Sequence, residues 1–333
     1  MSVSPTTVKT AIEVRRPARH QTNWTYLLAW TGLIVLLLTA IFGSVLKPYE
    51  IDNKYGHMET GKLMQDAAGK SKFPPLEPDS KHWLGTDHRG VDLFSLILNG
   101  MKFTIFVALS IVIMRFIIAV SLGLYVGINQ RGSGFLSIMN KLTSSVPALI
   151  MIYPLLTSVY VGLRLNMPMP VDHPNQKIFT AIYMACIIFT GIFPLAEHTY
   201  RRAQHVNEKL FVYTSKTMGA SKFRIAFRHI LPNIKEELVF AFLSEFVQVM
   251  FIIGQLAVLG LFIGSGQTLF SDLGAKGVQY TNTGEWCALI AYGIQHIRTF
   301  PWIMGGIITF YILTLLIIQF FLTQLKKKQS RSM

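Results

Sequence analysis

Six apolar segments, each about twenty residues long or longer, recur along this chain of 333 residues. An α-helix of that length crosses about 30 Å of hydrocarbon at ~1.5 Å per residue. Because that layer offers no water, each crossing segment must satisfy its own backbone polar groups, which a helix does. The sequence therefore predicts an all-α membrane protein with six transmembrane helices, at 24–46, 103–128, 142–163, 177–195, 237–264 and 302–325.

The composition and the absence of catalytic motifs narrow the function classes. Hydrophobic residues make up 51% of the chain and charged residues only 14%, which is unusual for a soluble domain. The two cysteines, Cys186 and Cys287, support neither a disulfide framework nor a metal site. The sequence also lacks a phosphate-cradling G-x-x-x-x-G-K-[ST] loop and a nucleophile elbow. We therefore expect no catalytic residues, metal or cofactor in this chain.

Basic residues are distributed unevenly along the chain. They concentrate in 1–23, 129–141, 200–232 and 326–333, whereas acids nearly balance bases in 47–100. The formal net charge of +14 would also suit a nucleic-acid-binding protein, but in a chain with several spans this asymmetry is typical of the positive-inside rule. The predicted organisation is a cytoplasmic tail (1–23), a first span (24–46), an extracytoplasmic segment ending in an interfacial helix (47–100), a five-span core (101–325) and a second cytoplasmic tail (326–333).

The basic segment 200–232 reads as two short helices joined at Gly219. Asn207 is placed to cap the first helix and Ser221 the second. Pro232 is expected to end the second helix, and Asn233 with Glu236 offers a capping box for the next one. The second helix has an apolar face opposite a basic one. Such a pair can be a solvated surface or a helix resting on lipid headgroups, but its apolar stripe also suits a protein partner.

A few polar residues interrupt the apolar segments. Arg115 lies near the middle of the second predicted span, and Glu245 is the only other charge deep in an apolar run. A lone Arg at mid-bilayer costs ~2.5–3.5 kcal/mol on insertion scales, so it must face protein or water. Either Arg115 pairs with Glu245, or both line a pathway together with Gln248 and Gln255, which share a helix face with Glu245. Packing between helices is the alternative role for that face.

Prolines also interrupt the third predicted span, where Pro147 and Pro154 fall inside the apolar run. Most membrane prolines produce tolerated kinks, since neighbouring groups satisfy the freed carbonyls. A hinge in a transport pathway is the alternative interpretation. A further Gly- and Asp-rich stretch, from His82 to Asp92, reads as a turn leading into a helix.

Two of these stretches resemble a known family. Residues 213–232 resemble the "EAA" loop of ABC-importer permeases, with matches at Gly219, Ile230, Leu231 and Pro232, although Tyr213, Thr214 and Ser215 replace Glu-Ala-Ala. In that family the loop inserts into a groove on the ATPase subunit. The resemblance thus implies ATPase-coupling roles for Tyr213, Thr214, Ser215, Met218, Gly219, Ala220, Ser221, Arg224, Phe227 and Arg228.

The second stretch resembles the H-P-L-G-T-D-x-x-G-R-D signature of the oligopeptide, dipeptide and nickel branch of these permeases, in its C-type subunit. The outer motif that carries this resemblance comprises Gly85, Thr86, Asp87, Gly90 and Asp92. His82, Leu84 and Ser95 match as well, whereas the "G-D-G-L-R-D" ending of many relatives is missing.

The resemblance implies a function that the composition alone does not. It implies a type I ABC importer permease fold in a bacterial inner or plasma membrane, with both termini cytoplasmic. The implied partners are a homologous permease in a heterodimer, two ATPases that bind ATP and Mg²⁺, and an extracellular or periplasmic binding protein. Peptides are the first expected substrate, and nickel or metal chelates the second. A transporter driven by an ion gradient and a non-transporting scaffold are the alternatives from other classes.

Overall fold

The computed structural model describes residues 24–51, 64–65, 69–165, 173–263, 266–269, 278–281 and 284–332. The predicted N-terminal tail, 1–23, therefore lies outside the described residues, as does part of the predicted outer loop at 164–176. The described residues are predominantly helical. Two short antiparallel hairpins, β1–β2 (Met64–Gln65 and Ser71–Lys72) and β3–β4 (Gly266–Leu269 and Val278–Thr281), lie in the connections.

Five helices are long and apolar enough to cross a membrane, and a bent helix pair provides a sixth crossing if it counts as one span. The prediction of an all-helical membrane protein with six spans is confirmed on this basis. The long helices are α1 (Trp24–Leu46), α2 (Leu93–Asn129), α5 (Pro174–Asn207), the continuous helix Lys222–Val258 and α10 (Pro301–Ser332); the bent pair is α3 (Ser133–Ser145) and α4 (Ala148–Gly162).

Several helices extend past their predicted ends. Helix α1 covers Trp24–Leu46, and α2 begins at Leu93 and continues without a break for 37 residues. The expectation of a separate interfacial helix before residue 101 is therefore wrong, because the side chains of this first part are apolar and mostly buried. At the other end of the chain, residues 326–332 of the predicted basic tail form the last turns of α10.

The third predicted span is not one straight helix. The chain bends by 79° between α3 and α4. Val146 has φ −115° and ψ 132°, as expected for a residue before proline, whose ring disfavours the α conformation of its predecessor. Pro147 therefore separates two helices, whereas Pro154 lies inside α4.

The predicted stop at Pro232 is wrong, since α7 (Lys222–Arg224) continues through a π-helical turn (Ile225–Ile230) into α8 (Leu231–Val258). In the wider turn the Leu231 N–H donates to the Ala226 carbonyl, five residues earlier. This shift of register admits Pro232 without the usual break. The Asn233 side chain donates to the His229 carbonyl at 2.6 Å, so Asn233 sits inside the helix and the predicted capping box does not form.

The first helix of the basic segment also starts differently. Asn207 is the last residue of α5, and its side-chain amide donates to the Gly127 carbonyl at 3.2 Å. The helix that follows, α6 (Leu210–Thr217), starts after Lys209. The other two predictions are confirmed: Gly219 has φ +81° just after α6, and the Ser221 side chain accepts from the Arg224 N–H at 3.3 Å.

The predicted loop at 265–299 contains a buried helix, α9 (Trp286–Gln295). The Trp286 indole N–H donates to the Ile97 carbonyl of α2 at 2.8 Å, and its backbone N–H donates to Thr104 at 3.0 Å. These bonds fix α9 against the N-terminal part of α2. The main hydrophobic core lies between these helices, α5, α8 and α10.

Candidate functional site

The guanidinium of Arg115, on α2, is buried in the bundle. Its side chain is 1% exposed, and its Nη1 lies 2.5 Å from Glu245 Oε2 on α8. Its Nη2 donates to the Ile187 carbonyl of α5 and lies 3.4 Å from the Thr190 hydroxyl. The sequence left open whether Arg115 pairs with Glu245 or lines a pathway, and in the structure the two side chains form an ion pair. Arg115 joins α2, α5 and α8 at one point.

A glycine provides the space for this group. A Cβ placed on Gly191 of α5 would overlap the Arg115 guanidinium at its Cζ, Nε and Nη1 atoms. The slot therefore depends on the absence of a side chain at residue 191, and Arg115 Nε has no hydrogen-bond partner within it. Sequence reasoning missed Gly191, because a helical glycine gives no signal of which side chain it accommodates.

The rest of the predicted polar face of α8 does not join the ion pair. Gln248 is exposed and Gln255 half-buried, and among the described residues neither side chain bonds to Arg115 or Glu245. Glu245 itself borders a cavity of about 410 Å³ between α5 and α8. The structure therefore places Glu245 between a buried cation on one side and an open space on the other.

The basic segment folds as a two-helix bracket, residues 210–230, at the end of the bundle where α5 stops and α8 starts. Val212, Ile225 and Ile230 are buried and pack against Leu124 and Ala203 of the bundle. This inward face holds the bracket in place. Because α6 follows α5 after two residues and α7 continues into α8, a displacement of the bracket acts directly on both long helices.

Two polar contacts fix the bracket further. Ser215 is buried and lies 3.1 Å from His229 Nε2, which joins α6 to the π-helical turn. Lys222 Nζ donates to Asn129 Oδ1 at 2.5 Å, so the bracket is also tied to the end of α2. Ser215, which the sequence placed among the coupling residues, is therefore turned toward the interior.

The outward face of the bracket exposes large apolar side chains. Eight of the ten predicted coupling residues are exposed, Ala220 being half-buried and Ser215 buried. The exposed fraction reaches 77% for Met218 and 63% for Tyr213. The prediction omitted Leu210, Phe211 and Phe223, which are also exposed and which the apolar periodicity of the segment could have indicated.

The outer motif folds as a turn that caps α2. Asp92 is 3% exposed and accepts hydrogen bonds from the Ser95 N–H at 2.8 Å and the Ser95 hydroxyl at 2.7 Å. Its other oxygen lies 3.0 Å from His82 Nδ1. This geometry is that of an N-cap, and it satisfies backbone groups at the buried start of α2.

The remaining motif residues shape the same turn. The Asp87 carboxylate accepts from the Arg89 N–H at 2.8 Å and pairs with the Arg89 guanidinium at 2.8 Å. Gly85 and Gly90 have φ of +76° and +80°, and Thr86 is fully buried. The observed contacts therefore agree with the interpretation of this stretch as a turn that leads into a helix.

A histidine pair beside this turn was not predicted. The backbone N–H of His88 donates to the Tyr292 hydroxyl at 3.1 Å, and its ring lies 4.3 Å from that of His296 between centroids. Burial, followed by the charge of His296, lowers the pKa of His88 from 6.5 to about 4, against an opposing effect of Asp87. The contact spans about two hundred residues of sequence, so no local pattern could have indicated it.

These features define a multi-pass helical membrane protein with a charged cross-link between three helices and an exposed bracket at one end. The chain belongs to the family described as "Binding-protein-dependent transport system inner membrane component", which matches residues 116–331. The family is a transport permease component. Its match covers Glu245 and the bracket, begins one residue after Arg115 and ends within α10.

Individual relatives extend the similarity toward the N-terminus. The chain is 24% identical to the oligopeptide transport system permease protein OppC of Bacillus subtilis, over 84% of this chain and 82% of the relative. It is 24% identical to the dipeptide transport system permease protein DppC of the same organism, over 84% and 80%. It is 26% identical to the peptide transport system permease protein SapC of Haemophilus influenzae, over 85% and 82%.

Proposed function

We propose that this chain is the permease subunit of an ATP-driven importer of peptides and forms half of the translocation pathway. The observation that carries the proposal is the bracket, which packs on the bundle by one face and exposes apolar side chains on the other. Exposed apolar patches of this kind mark protein interaction sites. The names of the relatives supply the substrate class, since three of them are called oligopeptide, dipeptide or peptide permeases.

The proposed partners follow from this role. Two cytoplasmic ATPases would bind ATP and Mg²⁺ and dock on the bracket, and a homologous permease would complete the pathway as a heterodimer. A binding protein would deliver the peptide from the opposite side of the membrane, in agreement with the family description. The bracket then faces the cytoplasm, which places both termini of this chain there, as the distribution of basic residues favours.

The geometry supports a direct mechanical role for the bracket. Closure of the ATPases would displace α6 and α7, and both helices pass the displacement on because they join α5 and α8 with almost no intervening loop. Arg115 holds the same two helices together within the membrane. The helices therefore move as one body, and the pathway opens to the other side by rigid-body rotation.

The bracket lacks the Glu-Ala-Ala of the family motif, and this changes the chemistry expected for its contact with the ATPase. Tyr213 and Thr214 are exposed where the family pattern has an acid and an alanine, and Arg224 and Arg228 are exposed nearby. We propose that the ATPase groove contacts this bracket through apolar surface and its own acidic groups. An acid on the permease is then not required for the contact.

Reconstitution of the complete complex tests the proposal. Proteoliposomes with both permeases, the ATPases and the binding protein should take up labelled peptide only with ATP and Mg²⁺. A Met218→Asp variant should lose the ATPases on purification, because a charge replaces an exposed apolar contact. The control is Phe73→Asp, since Phe73 is exposed and lies outside both the bracket and the spans. Uptake that follows a proton or sodium gradient without ATP would instead support a secondary transporter that uses the Arg115–Glu245 pair.

A further inference from the structure

The cavity beside Glu245 is lined by an acidic side chain at one end and by mainly basic side chains at the other. It measures about 410 Å³ and lies between the halves of α5 and α8 nearest the bracket, with one residue of α10 at its edge. Glu245 and Ser244 border it at one end, Arg202 and Glu237 border it at the other. The stretch between them is lined by apolar groups, namely Pro194, Leu195, Phe240 and Ala241.

Each end of the cavity contains an ion pair, and the end near the bracket has further basic groups. At the deep end, Oε2 of Glu245 faces Arg115 behind the wall, while the side chain also borders the cavity and is 12% exposed. At the end near the bracket, Arg202 lies 2.8 Å from Glu237, and its side chain is 52% exposed. His198 and Lys326 line the cavity as well. One end therefore presents a carboxylate and a hydroxyl, and the other an excess of basic groups.

The separation of the ends sets the size of a ligand that fits both. Glu237 and Glu245 lie on one helix at a separation of about 12 Å, at ~1.5 Å per residue. An extended peptide advances about 3.3–3.6 Å per residue, so about three or four residues cover this distance. The apolar stretch in between suits small side chains of no fixed identity, since apolar burial is not directional.

We propose that this cavity binds the transported peptide on the side of the bracket. The terminal ammonium group of the peptide lies at Glu245 and Ser244, and its terminal carboxylate lies among Arg202, His198 and Lys326. The proposal rests on the proposed function and deepens it, because it names a site and a substrate class: short zwitterionic peptides with both termini free.

Cysteine protection tests the site in the assembled complex. Ser244 is exposed, so a Ser244→Cys variant on a Cys186→Ala background reacts with a methanethiosulfonate reagent. Tetraalanine at about twice its dissociation constant should slow this reaction about threefold, since only the free third of the sites reacts. Tetraalanine that is acetylated at its N-terminus and amidated at its C-terminus should give no protection.

A second cavity in the same chain provides the matched control. Ser137 borders a cavity of about 360 Å³ between α3 and α5, and tetraalanine should leave the reaction of Ser137→Cys unchanged. In the Ser244→Cys background, Lys326→Gln should raise the tetraalanine concentration needed for half-maximal protection about two- to fivefold, as for the loss of one exposed charge contact.

The possible outcomes distinguish a failure of the proposed peptide site from a failure of the proposed function. If ATP-driven peptide uptake is present but Ser244→Cys is unprotected, or is protected equally by the capped peptide, the site is wrong and the proposed function stands. If ATP-driven uptake and protection are both absent, both are wrong. Equal protection of Ser137→Cys would also overturn the site, because the effect would then be non-specific.

Discussion

At the scale of single residues, Gly191 is the position where the smallest change should have the largest effect. An added Cβ would overlap the Arg115 guanidinium, which is held between α5 and α8 and has no space to move. We expect Gly191→Ala to lower the thermal stability of the purified chain in detergent by several degrees, although alanine is the better helix former by ~1 kcal/mol. Gly305→Ala is the control, because an added Cβ there meets open space. Equal stability of both variants would contradict the inference that Gly191 provides the space for the Arg115 guanidinium.

His88 should make the outer segment sensitive to acid. Its pKa is lowered to about 4 in the folded chain, so between about pH 4 and 6.5 the unfolded chain binds a proton that the folded chain does not. Stability therefore rises with pH across this window and is lost as the pH falls through it. Melting curves between pH 4 and 7 should show a smaller slope for His88→Gln, while the exposed His205→Gln keeps the original slope. A slope unchanged in His88→Gln would refute the assignment.

At the scale of elements, sequence patterns predicted the long apolar helices, but they missed α9 and the ends of several other helices. The bounds of α1 follow from its apolar run alone. At Pro232 the local rule fails, because the π-helical turn before it changes the backbone register. At Pro147 the local rule is correct and the long apolar run is misleading, since Val146 is forced into an extended conformation. Nothing in either local sequence shows which effect prevails.

Gly219 fixes the angle between the two helices of the bracket. It has φ +81°, a conformation that costs an L-residue ~1–2 kcal/mol. We expect Gly219→Val to reorient α6 relative to α7 and to reduce ATPase binding, while the spans remain folded. Gly134→Val is the control, because Gly134 is exposed and an added Cβ has no neighbour within 4 Å. Pull-down of the ATPases and helical content by circular dichroism measure the two effects, and unchanged ATPase binding would contradict this role.

At the scale of the whole molecule, part of the site could be derived from the sequence because charge is rare in apolar segments. Arg115 and Glu245 were therefore natural partners, although they are far apart in the chain. The groups that complete the site carry no such signal. The Ile187 carbonyl is a backbone atom, and Gly191 contributes only space. The histidine pair depends on the packing of α9 against the outer turn, which requires the assembled fold.

The Arg115–Glu245 pair should contribute less to the free energy of unfolding than the removal of one of its two partners costs. Either Arg115→Met or Glu245→Met leaves one charge unpaired in the bundle, which typically costs about 3–5 kcal/mol, whereas replacing both with apolar groups of similar volume is often neutral. We therefore expect the double variant to melt close to the original chain and well above both single variants. If the double variant folds and still transports peptide with ATP, the pair has only a structural role. If it folds and loses uptake while retaining ATP hydrolysis, the pair is required for transport. A double variant less stable than either single one would contradict the observed pairing.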